Sequence, residues 1–123
     1  MFNEKFLEVL KHEGVVSIVS CADNEAHAVN TWNSYLNIVE GNKLLIPAAA
    51  MIQTEKNINL NPTVKITLGS KQVMGYKYLG TGFLLTGTGK FLKSGPYYDQ
   101  MIEKFPFLTR VLEVSIDSCK QTL

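Results

Sequence analysis

Apolar residues recur along this chain in two rhythms, and the changes of rhythm divide it into elements. From Glu4 to about Glu13, Phe6, Leu7 and Leu10 return at helical spacing, with Asn3 suited to cap the first turn and Gly14 to stop the last. This predicts an amphipathic helix with those three residues in the core. Val15–Ser20 is β-branched and apolar, hence a strand. Asp23-Asn24-Glu25 turns the chain into a long strand that passes Ala28, Asn30 and Trp32 and reaches Ile38. Glu40-Gly41-Asn42 reads as a second hairpin turn. Leu44-Leu45-Ile46 is a strand ended by Pro47, and Ala48–Leu60 a short helix closed by Asn61-Pro62.

Val64–Leu68 alternates apolar and polar residues like a half-buried strand, followed by a loop punctuated by Gly69, Gly75 and Gly80. Gly82–Leu92 is a further strand, in which Gly87 and Gly89 mark a bend or a close backbone approach. Ser94-Gly95-Pro96 opens a helix over Tyr97–Phe105, whose Tyr97-Tyr98 pair packs on the body of the fold. Arg110–Asp117 is the last strand, with Leu112, Val114 and Ile116 on one face and Glu113, Ser115 and Asp117 on the other. About six strands joined by tight turns and decorated by short helices predict a mainly β fold, a closed antiparallel barrel without exposed edges.

Length and charge narrow this further. The 123 residues fit one domain spanning 1–123, and 46% hydrophobic with 19% charged residues is the balance of a globular chain. A net charge of +1, with Lys65, Lys71 and Lys77 too dilute to form a basic face, argues against nucleic acid or an anionic membrane as partner. The first residues, Met1-Phe2-Asn3-Glu4-Lys5-Phe6, lack the pattern of a signal peptide, and no run approaches the length of a membrane span. Cys21 and Cys119 fit neither a zinc pattern nor a redox motif, and the expected compartment is the cytoplasm.

Two runs carry candidate chemistry. In Val29-Asn30-Thr31-Trp32-Asn33-Ser34-Tyr35, both alternating faces hold polar or aromatic groups. A heteroaromatic ligand needs that mixture of flat surface and hydrogen-bonding groups. An edge strand with a buried Trp and solvated amides fits the same residues. The second run is Ile46-Pro47-Ala48-Ala49-Ala50-Met51-Ile52-Gln53-Thr54-Glu55-Lys56-Asn57. Positions 47–53 contain no Ser, Thr, Asp or Asn to cap a helix start, so a ligand phosphate could take that place. Thr54 either adds a hydroxyl to that ligand or is itself the N-cap of a shorter helix.

With these residues in view, the chain resembles the small FMN-binding proteins of anaerobic bacteria, within the FMN-binding split-barrel group that includes pyridoxamine phosphate oxidase. The likeness is close to full length. It is carried by Glu13-Gly14-Val15-Val16, by Val29 through Leu36, and by Pro47 with Met51, Thr54-Glu55 and Asn57. It continues through Thr67-Leu68-Gly69-Ser70-Lys71, Gly80-Thr81-Gly82-Phe83-Leu84 and Gln121-Thr122-Leu123. The resemblance implies a six-stranded Greek-key split barrel, a two-fold homodimer, and one FMN per subunit. By that likeness Asn30, Thr31 and Trp32 line the flavin ring, and Pro47, Ala48, Ala49, Ala50 and Met51 present backbone to the ring and ribityl chain. Gln53 and Thr54 then lie by the phosphate, and Leu123 reaches over the partner subunit's flavin. Relatives tend to carry Gly-Gly where this chain has Ala49-Ala50, and a basic residue where it has Gln53. Loss of that charge removes a contact of roughly 1–3 kcal/mol, with Lys56 or Lys71 as candidates to compensate.

His12 and His27 each stand alone, and neither a metal site nor a catalytic acid–base pair can be assembled from the sequence. That favours an electron carrier working with a redox partner protein. The alternatives are an FMN-dependent oxidoreductase or NAD(P)H:flavin reductase, with Ser70–Gly80 as its lid, and a cofactor-free dimeric binding module.

Overall fold

A computed structural model, which describes all 123 residues, orders the chain as α1 (Glu4–Leu10), β1 (Val15–Ala22), β2 (Glu25–Trp32), β3 (Asn37–Val39), β4 (Lys43–Ala48), α2 (Ile52–Leu60), β5 (Thr63–Met74), β6 (Leu79–Leu92), α3 (Pro96–Lys104) and β7 (Arg110–Gln121). The strands pair antiparallel in the order β2-β1-β5-β6-β7-β4-β3. There are seven rather than six, and no ladder joins β2 to β3, so the hydrogen-bonded sheet is open instead of a closed six-stranded barrel.

The extra strand has a local cause. The expected long strand through Ile38 ends at Trp32, because Asn33 turns inward and the chain winds into a short 3-10 turn over Asn33–Tyr35. The Asn33 N–H donates to the Gly14 carbonyl (2.9 Å). Its Nδ2 donates to the His12 (3.0 Å) and Gly69 (3.2 Å) carbonyls. Gly14 is needed there, since a Cβ would lie 2.8 Å from the Gly69 carbonyl. The break divides one expected strand into β2 and β3, which become opposite ends of the sheet.

The β1–β2 turn places Asp23 and Asn24 at φ +53° and +62°, the paired left-handed conformations of a tight hairpin. Helix α1 is capped by Asn3, whose side chain accepts from the Phe6 N–H at 2.8 Å. It ends at Leu10, short of Glu13. Phe6 and Val9 are its buried residues, while Leu7 is 41% exposed: Val9 lies three residues past Phe6 on the same face, and Leu7 is about 100° round from it.

Strand β4 does not stop at Pro47 but continues to Ala48, with Pro47 opposite Val111 and Ala48 opposite Arg110 on β7. Helix α2 therefore starts at Ile52 rather than Ala48, after Ala50 has taken a left-handed φ of +59°. Strand β5 absorbs Gly69, which shrinks the expected glycine loop to the connection after Met74. The β6–β7 ladder shifts register between Thr86 and Gly87, where a Cβ would collide with the Ser115 carbonyl.

The main core gathers Phe6 and Val9 with Ile18, Leu44, Ile46, Ile66, Phe83, Leu85 and Leu112, and Phe6 meets Phe83 edge to face at 5.4 Å. A smaller cluster of Leu45, Met101, Leu108 and Val111 lies beneath α3, so β7 is covered on both faces. Glu113, on that covered face, is only 6% exposed and pairs with Lys90 at 3.5 Å. No helix is long and apolar enough to cross a membrane.

Candidate functional site

The start of α2 leaves backbone donors without protein acceptors. Met51 occupies the N-cap position without a side-chain hydrogen bond, and the first N–H bonded within the helix is that of Glu55, to the Met51 carbonyl at 3.0 Å. The N–H groups of Ile52, Gln53 and Thr54 thus face outward along the axis with no protein acceptor. Thr54 is not the N-cap. It lies in the first turn, 0% exposed, and its Oγ1 has no partner. A buried hydroxyl left this way costs on the order of 1–3 kcal/mol. An anion in front of the helix would take the free N–H groups and benefit from the helix dipole.

The approach to this helix start is open. Pro47 and Ala48 are buried in the sheet, whereas Ala49, Ala50, Ile52 and Gln53 are exposed and Met51 is half-buried. Short side chains at 48–50 keep the backbone accessible. Gln53 is tied along the helix, its Nε2 donating to Asn57 Oδ1 at 2.9 Å, and Asn57 Nδ2 donates to Ser20 Oγ at 3.1 Å. Gln53 also borders a small polar cleft with His27 and Asp23. Lys56 is exposed and lines none of the clefts around the helix start, and Lys71 lies on the β5–β6 hairpin instead.

Helix α2 packs against β1, β2 and β6, which sets the second group of sequence-predicted residues near the first. Asn30 and Trp32 share the outer face of β2, opposite Ser17 and Val15 of β1, and Trp32 is 45% exposed. Thr31 points the other way and is 3% exposed, so the three residues do not present one surface. Asn33, which the polar run placed beside them as a possible ligand group, is instead buried as a structural bolt. Tyr35 packs on Phe105 and Phe107 at 5.1 and 5.6 Å between ring centres.

Leu123 lies elsewhere. It walls a recess of about 840 Å³ between the β5–β6 hairpin and the turn at Glu13-Gly14, and none of the other sequence-predicted site residues lines it. Its carbonyl accepts from Thr81 Oγ1 (2.9 Å) and Gln121 Nε2 (2.7 Å), which fixes the chain's last residues against the sheet. At the rim, the Glu13 carboxylate accepts from the Ser34 hydroxyl (2.7 Å) and N–H (3.1 Å). These bonds hold its carboxyl below the ordinary carboxylate range, the Ser34 hydroxyl contributing most. This recess is the larger cavity, yet the unsatisfied donors that call for a ligand are at α2.

One neighbour of the helix start was not legible as a site residue. Arg110, placed beside Ala48 by the β4–β7 register, borders a cavity of about 240 Å³ together with Ala50, Met51, Ile52 and Glu55. A partner for β4 in the sequence would have pointed to it, since Arg110 opens the last apolar strand.

Comparison with known proteins agrees with this architecture. HupZ of Group A Streptococcus superposes with a TM-score of 0.82 over 98% of this chain and 94% of its own, at 12% identity. An FMN-binding protein from Syntrophomonas wolfei does so at 0.70 over 88% and 76%, also at 12% identity. At those identities the likeness concerns the fold. In sequence, the chain is 42% identical over 118 residues to a protein of Nitratidesulfovibrio vulgaris (strain Miyazaki F) named FMN-binding protein, covering 96% of each. The family model described as pyridoxamine 5'-phosphate oxidase matches residues 2–122. With nearly the whole chain matched, it belongs to the pyridoxamine 5'-phosphate oxidase family.

Proposed function

We propose that this protein binds FMN, with the phosphate at the start of α2, and serves as a small electron carrier. The observation that carries the reading is the uncapped helix: free N–H groups at 52–54 and a buried, partnerless Thr54 hydroxyl, in a chain 42% identical to an FMN-binding protein. A dianionic phosphate supplies the acceptors those donors lack. Asn30 and Trp32 offer an amide and an exposed indole for the ring, and Ala49–Met51 an accessible backbone for the ribityl chain. When bound, FMN supplies one- or two-electron chemistry, and the protein sets its exposure and potential.

The same reading takes the chain as a homodimer. Trp32 and Val15 are adjacent in register and 45% and 49% exposed, an apolar pair at the end of the edge strand β2. An exposed apolar pair on an edge strand favours association. Leu123, 64% exposed, would then meet the partner's flavin. Two unpaired thiols, Cys21 and Cys119, suit a reducing cytoplasm.

The test is the visible spectrum of the purified protein before and after FMN, followed by NAD(P)H consumption. Flavin bands with stoichiometric oxidation by an added acceptor and no NAD(P)H turnover support the carrier. A protein that stays colourless after incubation with FMN sinks the flavin reading. A second reading, a flavin-dependent oxidoreductase, draws on the 840 Å³ recess beneath the Lys71–Gly80 hairpin, which could house a substrate. Rapid NAD(P)H turnover would favour it.

A further inference from the structure

The phosphate reading leaves a charge unaccounted for. A dianion at the start of α2 meets the neutral Gln53, and the first-turn carboxylate of Glu55 repels it. Arg110 carries the only positive charge on the wall of the 240 Å³ cavity that opens beside Ala50, Met51 and Ile52. Its guanidinium is incompletely used. Arg110 Nη1 donates to its own neighbour, the Thr109 carbonyl, at 2.9 Å. Nε is buried without a hydrogen bond, and only a loose 3.4 Å ion pair links it to Glu55 Oε1. An orphaned Arg donor bordering a cavity at a helix start is an anion-binding arrangement with its acceptor left unspecified.

The backbone holds this arrangement in place. Ala48 and Arg110 are register partners, and the Thr109 N–H donates to the Ala48 carbonyl at 2.9 Å, which ties β7 to the chain just where it turns into α2. The left-handed Ala50 then swings Met51 and Ile52 past the Arg110 side chain. With 35% of its side chain exposed, Arg110 has room to rotate from Glu55 toward a ligand without unpacking the core.

Resting on the FMN reading above, the geometry points to Arg110 as the phosphate-binding cation of this chain, exchanging its Glu55 partner for the FMN phosphate and replacing the charge that Gln53 lacks. Arg110 thereby distinguishes FMN from the uncharged riboflavin. Lys56 and Lys71 do not fill this role, since neither borders the cavity.

The experiment is titration of wild type, Arg110→Gln and Glu55→Gln with FMN and with riboflavin, read by quenching of flavin fluorescence. Wild type prefers FMN. Arg110→Gln weakens FMN by about tenfold or more and leaves riboflavin unchanged, the loss expected for one charge-assisted contact. Glu55→Gln frees Arg110 and tightens FMN several-fold with riboflavin again unchanged. Should Arg110→Gln fail to fold, Arg110→Met, which keeps the packed stem and drops the charge, takes its place, because Glu55→Gln also removes a carboxylate that repels the phosphate directly. A wild type without preference for FMN removes the phosphate site itself. A preference that survives both substitutions overturns the role of Arg110 and leaves that site standing.

Discussion

Of the three helix starts, those of α1 and α2 solve the same problem in opposite ways, while α3 begins on Pro96, which has no N–H to cap. At α1 the protein supplies its own acceptor: Asn3 takes the Phe6 N–H, and beyond the helix Glu13 takes the Ser34 hydroxyl and N–H. Asn33 Oδ1 is the one buried polar atom there without a partner. At α2 nothing caps the helix, the Thr54 hydroxyl and Arg110 Nε are buried without hydrogen bonds, and the residues before it are alanines. A helix start that takes its cap from its own chain is finished architecture. One whose donors are free beside a cavity is a site awaiting an acceptor from outside the chain.

Ligand addition should widen the contrast most. At a hundredfold excess over its dissociation constant, FMN is expected to raise unfolding stability by about 2.7 kcal/mol. Urea unfolding with and without FMN measures this, and an unshifted midpoint would reduce α2 to a merely uncapped helix. Next in size is Thr54→Val, which keeps the shape and removes the orphan hydroxyl. Stability without ligand should rise by about 1–2 kcal/mol while FMN binding weakens by about 1 kcal/mol. Two changes of the same sign would mean that the hydroxyl has no ligand role.

Asn3→Ala probes the finished end. Loss of that cap should cost about 1 kcal/mol of stability and leave FMN affinity untouched. A parallel loss of affinity would show the two helix starts to be coupled. The smallest effect concerns Glu13. Its carboxyl is held below the ordinary range, so its contact with Ser34 contributes fully above the ordinary carboxylate value and is lost as pH falls through the lowered one. Thermal melts of Glu13→Gln should therefore fall less steeply in acid than those of wild type, and superimposable pH profiles would count against the assignment.

What the sequence allows one to read follows the range of the interactions. The Asn3 cap, the Asp23-Asn24 and Glu40-Gly41 turns and the bare stretch before α2 are local, and each appears where the residue types place it. The break after Trp32 was hidden because it depends on Asn33 reaching the carbonyls of His12 and Gly69, far from it in the chain. Without those bonds the run from Ala26 to Ile38 has every mark of one strand, hence the expectation of six strands and a closed barrel. Arg110 was hidden for the same reason, since only the β4–β7 register brings it to Ala48. The resemblance groups Asn30, Thr31 and Trp32 on one surface, whereas strand alternation turns Thr31 away from the other two.

That β4–β7 register also has a temporal consequence. Strands β1 and β2 are joined by a tight turn and can zip together on the microsecond scale of hairpins. Strand β4 must wait for β7, which follows it only after α2, β5, β6 and α3, and closing so long a loop is slow. Arg110 therefore reaches the start of α2 only once the C-terminal strand has paired with β4. During synthesis the start of α2 stays without Arg110 until the C-terminal strand has emerged, and on the proposed role of Arg110, FMN capture in stopped-flow refolding should track the pairing of β4 with β7 rather than the first collapse.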